Sequence, residues 1–452
     1  MNRIMSGLLL SALAAALAAC GGDSSSSKSE EKIIEVVPEA CKGFVGSDAE
    51  AIVAIAMKSA LGKKLFHDKN LSLDGNQSCA SCHNPEKGFI DDRPNLSSQG
   101  SASPAGSLGD NEHSIGDRNA PTAGYAAFSP HFKCGTRQRV ASQRTSKIGD
   151  YEGFLGGQFW DGRAANLKGQ AGGPPTNPGE MNMPSKASVV ERLKENDEYV
   201  SAFENLYAAN ILEDVEAAYE AMTESIAAFE TFDKAAFFPF DSKYDRSLLL
   251  GDEAYEYPVG SKAGFGKTLF FSSDLTCAAC HQLREIGNKG EVFTSFEYHN
   301  IGTPENKTLR NTLGNNVAVG AIDEGLFLNP AVTSENEKGK FKVPTLRNIA
   351  VTAPYMHNGV FNELETVIKF YQHAKRRANG QVGVAGELIN PETGLEWQAP
   401  EVNQNLANNL LGGNDINLDD KDVEALECFF LSLTDARYEH LLDATKVANC
   451  GL

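Results

Sequence analysis

The sequence has little positive charge, few methionines and only one long hydrophobic run. Its 452 residues include 41 Lys and Arg against 60 Asp and Glu, which gives a formal net charge of −19. The phosphates of a nucleic acid would repel such a chain, so nucleic-acid binding is excluded. A basic partner would be attracted instead, and added salt should weaken that attraction. Beyond the N-terminus, no stretch is long and apolar enough to span a bilayer.

The hydrophobic run at the N-terminus has the form of an export signal. Arg3 is a short basic region and the apolar residues after it are too few for a membrane helix, so residues 1–19 are expected to be a signal peptide. The run ends at Cys20, which is typical of a bacterial lipoprotein and predicts a lipid anchor; the alternative is an ordinary signal with an incidental cysteine. Gly21 favours the outer membrane, by resemblance to lipoprotein sorting rules. Residues 20–40 would form a flexible tether.

Two short cysteine motifs organise the rest of the chain. They read Cys79-Ala80-Ser81-Cys82-His83 and Cys277-Ala278-Ala279-Cys280-His281. Two thiols three positions apart, followed directly by a histidine, form the attachment pattern of a c-type haem. Each thiol bonds one vinyl group of the haem, and the imidazole binds the iron as proximal ligand. The sequence therefore predicts two covalently bound haems, with His83 and His281 on the two irons.

Other uses of a Cys-x-x-Cys pair fit less well. A zinc site normally lies within one small module, whereas about 200 residues separate these pairs. A thioredoxin-like disulfide lies near a βαβ pattern, which this sequence lacks. The stretches before the motifs also repeat, as Gly62-Lys63-Lys64-Leu65-Phe66 and Gly266-Lys267-Thr268-Leu269-Phe270. A repeat at this long period indicates two cytochrome-c-like units in one chain.

The remaining pattern is mostly helical. Apolar periodicity predicts helices over 49–67, 185–207, 214–232, 362–376 and 418–433. The expected fold class is mainly α, with two cytochrome-c-like haem domains and extensive loops. Residues 41–250 would form the N-terminal domain and residues 251–452 the C-terminal domain. The polar, basic segment 132–157 is expected to be an inserted surface loop.

Four cysteines remain once the anchor and the haem thiols are assigned. They are Cys41, Cys134, Cys428 and Cys450. An even number in an oxidising compartment favours disulfides, but the sequence leaves their pairing open, and free buried thiols are the alternative.

The second axial position of each iron decides between electron transfer and reaction with small oxidants. Met356 is the only methionine after the second motif, and the next helix carries Tyr371 on the same face as its apolar residues. A phenolate is a hard oxygen ligand, so Tyr371 is one candidate for the second iron; a packed core tyrosine is the alternative. For the first iron the candidates are His113 and His131, although a loop histidine is more often simply exposed.

The irregular loop after Trp160 carries Gln170 and Glu180. A carboxylate near an open haem face can take the proton from one peroxide oxygen and return it to the other. The alternative for Glu180 is an ordinary surface position.

Further motifs follow one another in a distinctive order. They are RNAPT at 118–122, FWDGRA at 159–164, FKVPTLRN at 341–348 and TAPYMHNG at 352–359. With the two haem motifs they resemble the bacterial di-haem cytochrome c peroxidase/MauG family, from Leu61 to about Asp435. The resemblance implies two haem c groups and a calcium ion between the domains.

The resemblance also implies roles at the N-terminal haem, position by position. Trp160 would lie between the haems as an electron relay. Gln170, Pro174 and Glu180 would line the distal pocket, with Glu180 as the acid–base residue for O–O cleavage.

Other implied roles belong to the C-terminal half. Calcium would bind Asn119, Thr352 and Pro354, the last two through backbone carbonyls, which suit a hard cation. His357 would lie near the propionates of the C-terminal haem, where electrons arrive.

Two departures from the family pattern bear on function. Typical peroxidases have a distal Met on the helix after the TAPY motif, whereas this chain has Tyr371, as the MauG branch does. The peroxidases also carry a distal His before RNAPT; His113 is near, but its spacing to Arg118 differs. The first iron is therefore either five-coordinate or capped by His113.

The resemblance implies an enzyme that reduces hydrogen peroxide to water with electrons from a small cytochrome c or cupredoxin in the periplasm. A first alternative is MauG-like oxidation of a residue in a partner protein. A second is a non-catalytic di-haem electron carrier with both irons closed by two ligands. A homodimer is compatible with the sequence, which leaves the oligomeric state open.

Overall fold

The computed structural model describes residues 49–452, apart from 94, 97–101, 104, 112, 146–147, 252–253, 313–317, 319, 382–388 and 412–417. The expected signal peptide, the anchor at Cys20, the tether and Cys41 lie outside the described residues. Within the described ranges, no helix combines the length and the apolar character needed to cross a bilayer.

The fold is mainly helical, as predicted. The helices are α1 (Ala49–His67), α2 (Cys79–Cys82), α3 (Leu167–Ala171), α4 (Lys186–Lys194), α5 (Asp197–Leu206), α6 (Val215–Phe232), α7 (Lys234–Phe237), α8 (Lys243–Arg246), α9 (Lys262–Phe270), α10 (Cys277–Cys280), α11 (Lys307–Arg310), α12 (Leu364–Ala378), α13 (Asn408–Leu411), α14 (Asp420–Leu431) and α15 (Ala444–Cys450). Short antiparallel strand pairs join them, namely β1 (Asn95–Leu96) with β2 (Ala102–Ser103), β3 (Lys133–Arg137) with β4 (Tyr151–Leu155), and β5 (Tyr298–His299) with β6 (Phe341–Lys342).

Most helix predictions are confirmed. Helices α1, α6, α12 and α14 begin and end within two residues of the expected limits. The single helix expected over 185–207 is wrong, because the chain breaks between α4 and α5. There the Asn196 side chain accepts a hydrogen bond from the backbone N–H of Glu198 and starts α5 as its N-cap.

Two helix pairs repeat the same packing, one in each half of the chain. Helix α1 packs against α6 at Gly62, where an added Cβ would overlap the carbonyl oxygen of Ser225. Helix α9 packs against α14 in the same way, with Gly266 against the carbonyl oxygen of Ala425. Only glycine lets the two backbones approach so closely. The repeated Gly-Lys-x-Leu-Phe runs thus supply the contact glycine of each pair.

Each helix pair lies in its own apolar core. In the first core the Phe66 and Phe229 rings are 5.5 Å apart, and in the second the Phe270 and Phe429 rings are 5.2 Å apart. The two cores lie on either side of residue 240 in the sequence. The exact domain boundary at residue 250 stays a prediction.

The segment 132–157 is largely exposed or half-buried, as predicted, but it is an ordered hairpin, so the prediction of a loop is wrong. It forms the β3–β4 hairpin, and two of its basic side chains, Arg137 and Arg139, are buried. Both pair with the fully buried Glu297, at 2.9 and 2.5 Å. The buried Gln143 between the strands donates to two main-chain carbonyls of the second haem motif. Burial is tolerated because the cations face a carboxylate.

One disulfide joins the last two helices. Cys428 of α14 and Cys450 of α15 are bonded and both are buried. This pairing is one of those that the sequence left open. Cys134 lies exposed on β3 as a free thiol.

Candidate haem centres

The first haem motif presents its histidine in the form that can bind iron. Cys79 and Cys82 begin and end the single turn of α2, and His83 follows at its C-cap. His83 Nδ1 donates to the carbonyl oxygen of Phe89 at 3.2 Å. Because a carbonyl can only accept, the proton stays on Nδ1 and the Nε2 lone pair is free for a metal. Burial lowers the pKa of His83, which keeps the ring neutral.

The second motif repeats this arrangement. His281 Nδ1 donates to the carbonyl oxygen of Phe293 at 3.3 Å, and burial lowers the pKa of His281 to about 4. A threonine hydroxyl fixes the loop that carries the accepting carbonyl in each half. Thr122 donates to Gly88 O at 2.6 Å, and Thr345 donates to Val292 O at 2.7 Å. Both predicted proximal ligands are therefore held in the same way.

A cavity of about 300 Å³ opens beside the second motif. Its walls are mostly apolar, and they include Cys277, Cys280, His281 and Tyr371. Burial raises the pKa of Tyr371 well above its usual value, and both thiols of the motif lie close enough to add to that effect. The predicted distal ligand and the proximal ligand thus face one cavity. Met356, the alternative, also lines it.

Two polar side chains of this cavity fit the carboxylates of a haem. Lys342 is half-buried, donates to Gly157 O, and has its pKa lowered by desolvation to about 7. The Nε2 atom of His357 is buried and has no hydrogen-bond partner in the described part of the chain. The apolar walls would cover the haem ring, and the thiols of the motif would bond its vinyl groups. The imidazole of His357 and the amine of Lys342 would then contact its carboxylates.

Trp160 connects the two halves of the chain at this cavity. Its Nε1 donates to Asn119 O at 2.8 Å, and its own carbonyl accepts from Lys342 N at 2.9 Å. The Trp160 ring lies 6.5 Å from the His357 ring, edge to face. The position is compatible with the predicted relay role, which stays a prediction.

The residues predicted to bind calcium come together beside Trp160. The Asn119 Nδ2 donates to Pro354 O at 2.7 Å and to Met356 O at 3.4 Å, and Thr352 lines the same cavity. The oxygen and nitrogen of an asparagine side chain are distinguished only by their hydrogen-bond partners. If the Asn119 amide were rotated by 180°, its Oδ1 atom would lie beside these two carbonyl oxygens. An all-oxygen set of this kind suits a hard cation.

Glu180, predicted as a distal residue of the first haem, is half-buried, and its role stays a prediction. Burial raises the pKa of its carboxyl, and Arg163 opposes this shift. The Glu180 charge raises the pKa of both Cys79 and Cys82, although burial is the larger cause for each thiol. Its loop is held by Pro174, whose carbonyl accepts from the backbone N–H groups of Asn177 and Met181.

The other residues predicted at the first haem lie on neighbouring segments. Gln170 is on α3, which packs against α6. His113 is exposed, on a turn that is joined to the Glu180 loop by the hydrogen bond from Asp110 N to Glu180 O at 2.6 Å. The role of His113 as an iron ligand stays a prediction.

A buried ion cluster between the motif segments was missed from the sequence. Arg118 of the RNAPT segment donates to Asp161 of the FWDGRA segment and to Asp323, each at 2.7 Å. Arg347 of the FKVPTLRN segment similarly pairs with Asp245, and is 1% exposed. In the sequence, the only indication of this cluster was that each of these motifs contains a charged residue.

Comparison with known proteins agrees with this geometry. Residues 56–254 match the di-haem cytochrome c peroxidase family. The chain is 44% identical over 405 residues to the methylamine utilization protein MauG of Paracoccus denitrificans, across 89% of this chain and 95% of that protein. The chain belongs to the di-haem cytochrome c peroxidase/MauG family.

Two further proteins show the same resemblance. Cytochrome c peroxidase Ccp of Escherichia coli is 32% identical over 314 residues, which are 70% of this chain and 52% of that protein. The crystal structure of the di-haem peroxidase BthA from Burkholderia thailandensis superposes with a TM-score of 0.66 at 27% identity, covering 86% of this chain and 88% of that one.

Membership of the di-haem peroxidase/MauG family confirms the mainly helical fold and the two c-type haems. It also makes the protein an oxidoreductase of the peroxidase or MauG type. The individual distal ligands, Trp160 and the calcium residues stay predictions.

Proposed function

We propose that this chain is a periplasmic enzyme that reduces hydrogen peroxide to water at its first haem. Two electrons from a small cytochrome c or cupredoxin and two protons convert one peroxide into two waters. The observation that carries this proposal is Glu180, a half-buried carboxyl whose pKa is raised by desolvation and whose charge acts on both thiols of the first motif.

The haem, when bound, supplies the iron that exchanges electrons with peroxide. Glu180 takes the proton from one peroxide oxygen and delivers it to the other, which leaves as water. Its raised pKa makes the carboxylate a stronger base for the first transfer, and the proton it then holds is the one delivered to the leaving oxygen. Arg163 limits that rise and lets the carboxylate re-form as the base. Gln170 and Pro174 shape the same side of the pocket.

Electrons reach this site from the second half of the chain. His357 and Lys342 would hold the haem propionates there, since both line the cavity and the His357 Nε2 atom is buried without a partner in the described residues. Trp160 lies edge to face with His357 and would relay electrons toward the first haem. Calcium at Asn119, Thr352 and Pro354 would fix the loop under Trp160, because Trp160 donates to Asn119 O.

A second candidate function is favoured by Tyr371 and by the 44% identity to MauG. Here the electrons come from a residue of a specific partner protein instead of a small redox carrier. Glu180 has the same role in both functions. A donor survey separates them: reduced cytochrome c supports steady-state turnover of peroxide in the first function and not in the second.

The Glu180→Gln variant tests the acid–base role that both functions share. We expect peroxide consumption to fall about a hundredfold or more, because an amide cannot exchange the proton. The assay follows peroxide loss by stopped flow, with each function's own electron source. Glu198→Gln, an exposed glutamate on α5, is the matched control and should keep the wild-type rate. Wild-type turnover in Glu180→Gln would refute the role.

We also propose that the mature protein is anchored by a lipid at Cys20 and faces the periplasm, most simply from the outer membrane. Mass spectrometry of the N-terminal peptide from exported protein tests this. An unmodified Cys20 would leave the ordinary signal peptide as the explanation.

A further inference from the structure

Helix α6 carries four glutamates in two different environments. Glu216, Glu220 and Glu224 follow at four-residue spacing, and each forms an ion pair with a lysine, at 2.5, 3.1 and 2.5 Å. Glu230 lies near the C-terminal end of the helix, at the edge of this face, and is only 4% exposed. Within the described ranges it has no hydrogen-bond or ion-pair partner. A buried carboxyl without a partner is costly, and its retention calls for a reason.

The internal repeat shows what Glu230 faces. Ser225 of α6 and Ala425 of α14 are equivalent, because each meets the contact glycine of its helix pair. Five residues further along, Glu230 is therefore equivalent to Phe430. Phe430 lines the cavity of the second haem motif. By this equivalence, Glu230 lines the pocket of the first haem.

Electrostatics agree with this position. Glu230 acts on the Cys79 thiol, the atom that becomes an uncharged thioether once the haem is attached. Burial alone raises the pKa of Glu230 to about 8. No ionisable side chain on the packed elements changes that value. Those side chains are Lys58, Lys63, Lys64 and His67 of α1, Cys79 of α2, Lys168 of α3, Lys186, Glu191, Arg192 and Lys194 of α4, Glu213, and Lys234 of α7.

We propose that the Glu230 carboxyl is a proton-binding site coupled to reduction of the first haem. When the iron goes from Fe(III) to Fe(II) by taking one electron from an external donor, Glu230 takes one proton from solvent. The added electron removes a positive charge near the carboxylate, so the protonated form becomes more stable. Reoxidation by one electron releases that proton. The proposal depends on a haem at the first motif and not on which substrate the enzyme oxidises.

The direction of the pH effect follows from this coupling. Reduction is helped by protonation, so the midpoint potential of the first haem should fall as the pH rises through the range around the pKa of Glu230. Full coupling of one proton to one electron changes the reduction equilibrium constant tenfold per pH unit, or about 59 mV. At pH values where Glu230 has the same protonation state in the oxidised and the reduced protein, this group no longer makes the midpoint potential depend on pH.

The test is a redox titration of the haem-loaded protein at several pH values, in which EPR follows each ferric haem by its own signal. We expect Glu230→Gln to flatten the pH dependence of the first haem, because the amide cannot bind the proton. Glu224→Gln, on the exposed face of the same helix, should keep the wild-type slope. The second haem should be unaffected by either change.

An unchanged slope in Glu230→Gln would overturn the proposal. If that variant fails to bind haem, an infrared difference spectrum between the oxidised and reduced wild-type protein decides. Glutamate labelled with 13C should shift a carboxylic C=O band that appears on reduction. The Glu180→Gln protein should retain that band, and its absence from both proteins would equally contradict the proposal. Neither readout uses peroxide, so the outcome is independent of the proposed reaction.

Discussion

At the scale of single residues, the second haem motif faces a tyrosine where the typical peroxidases have a methionine. Tyr371 lines the cavity together with Cys277, Cys280 and His281. Tyr371 is partly buried, and desolvation raises the pKa of its phenol. A bound metal ion would favour the phenolate and reverse that effect, because it places a positive charge at the oxygen. An oxygen ligand stabilises Fe(III) more than a thioether does.

The Tyr371→Phe variant separates ligation from packing. We expect the optical and EPR spectra of the second ferric haem to change, because phenylalanine keeps the ring but has no oxygen to bind iron. Tyr255→Phe is the matched control, since Tyr255 lies outside the cavity and donates only to a C-terminal carbonyl. Spectra identical to wild type in Tyr371→Phe would assign this tyrosine to the core.

At the scale of secondary-structure elements, the two halves are built on the same helix pair. The glycine of α1 and the glycine of α9 each meet a main-chain carbonyl of the partner helix, Ser225 O and Ala425 O. The phenylalanines four residues later then contact the partner helix through aromatic rings. This geometry sets the register of α6 and α14, and the register is what turns Glu230 and Phe430 toward the two haem pockets.

Replacing the contact glycine should weaken the first helix pair. In Gly62→Ala the added methyl overlaps Ser225 O, and we expect the free energy of unfolding to fall by about 1–3 kcal/mol, as for an overpacked core. Urea unfolding of the haem-loaded protein measures this change.

The control is Gly169→Ala in α3, where the nearest atom would lie at an ordinary 3.6 Å. That variant should be neutral, or more stable by up to about 1 kcal/mol through helix propensity. Equal stability of Gly62→Ala and wild type would show that α1 can shift to make room.

At the scale of the whole molecule, the sequence predicts features whose chemistry is local. The haem motifs are readable because the two thiols and the imidazole must lie within five consecutive residues. Helices α1 and α6 are readable because their apolar periodicity is local too. The β3–β4 hairpin was missed because Arg137 and Arg139 are buried by Glu297, a partner about 160 residues away. Glu230 could be assigned to a helix face, but its lack of a partner required the packed structure.

The N-terminal and C-terminal halves of the chain meet at Trp160 and around the half-buried Arg118. Arg118 donates to Asp161 in the first half and to Asp323 in the second half. Trp160 similarly bonds Asn119, whose amide reaches Pro354. These contacts hold segments of the two halves together. Electron transfer from one haem to the other requires such a fixed arrangement.

EPR of the purified, fully oxidised protein, before and after addition of hydrogen peroxide, is the most direct test of a two-haem chain with one iron open to the oxidant. We expect one high-spin ferric signal from the first haem and one low-spin signal from the second, with the high-spin signal lost when peroxide is added. Two low-spin signals that peroxide leaves unchanged would contradict an enzyme and leave only an electron carrier.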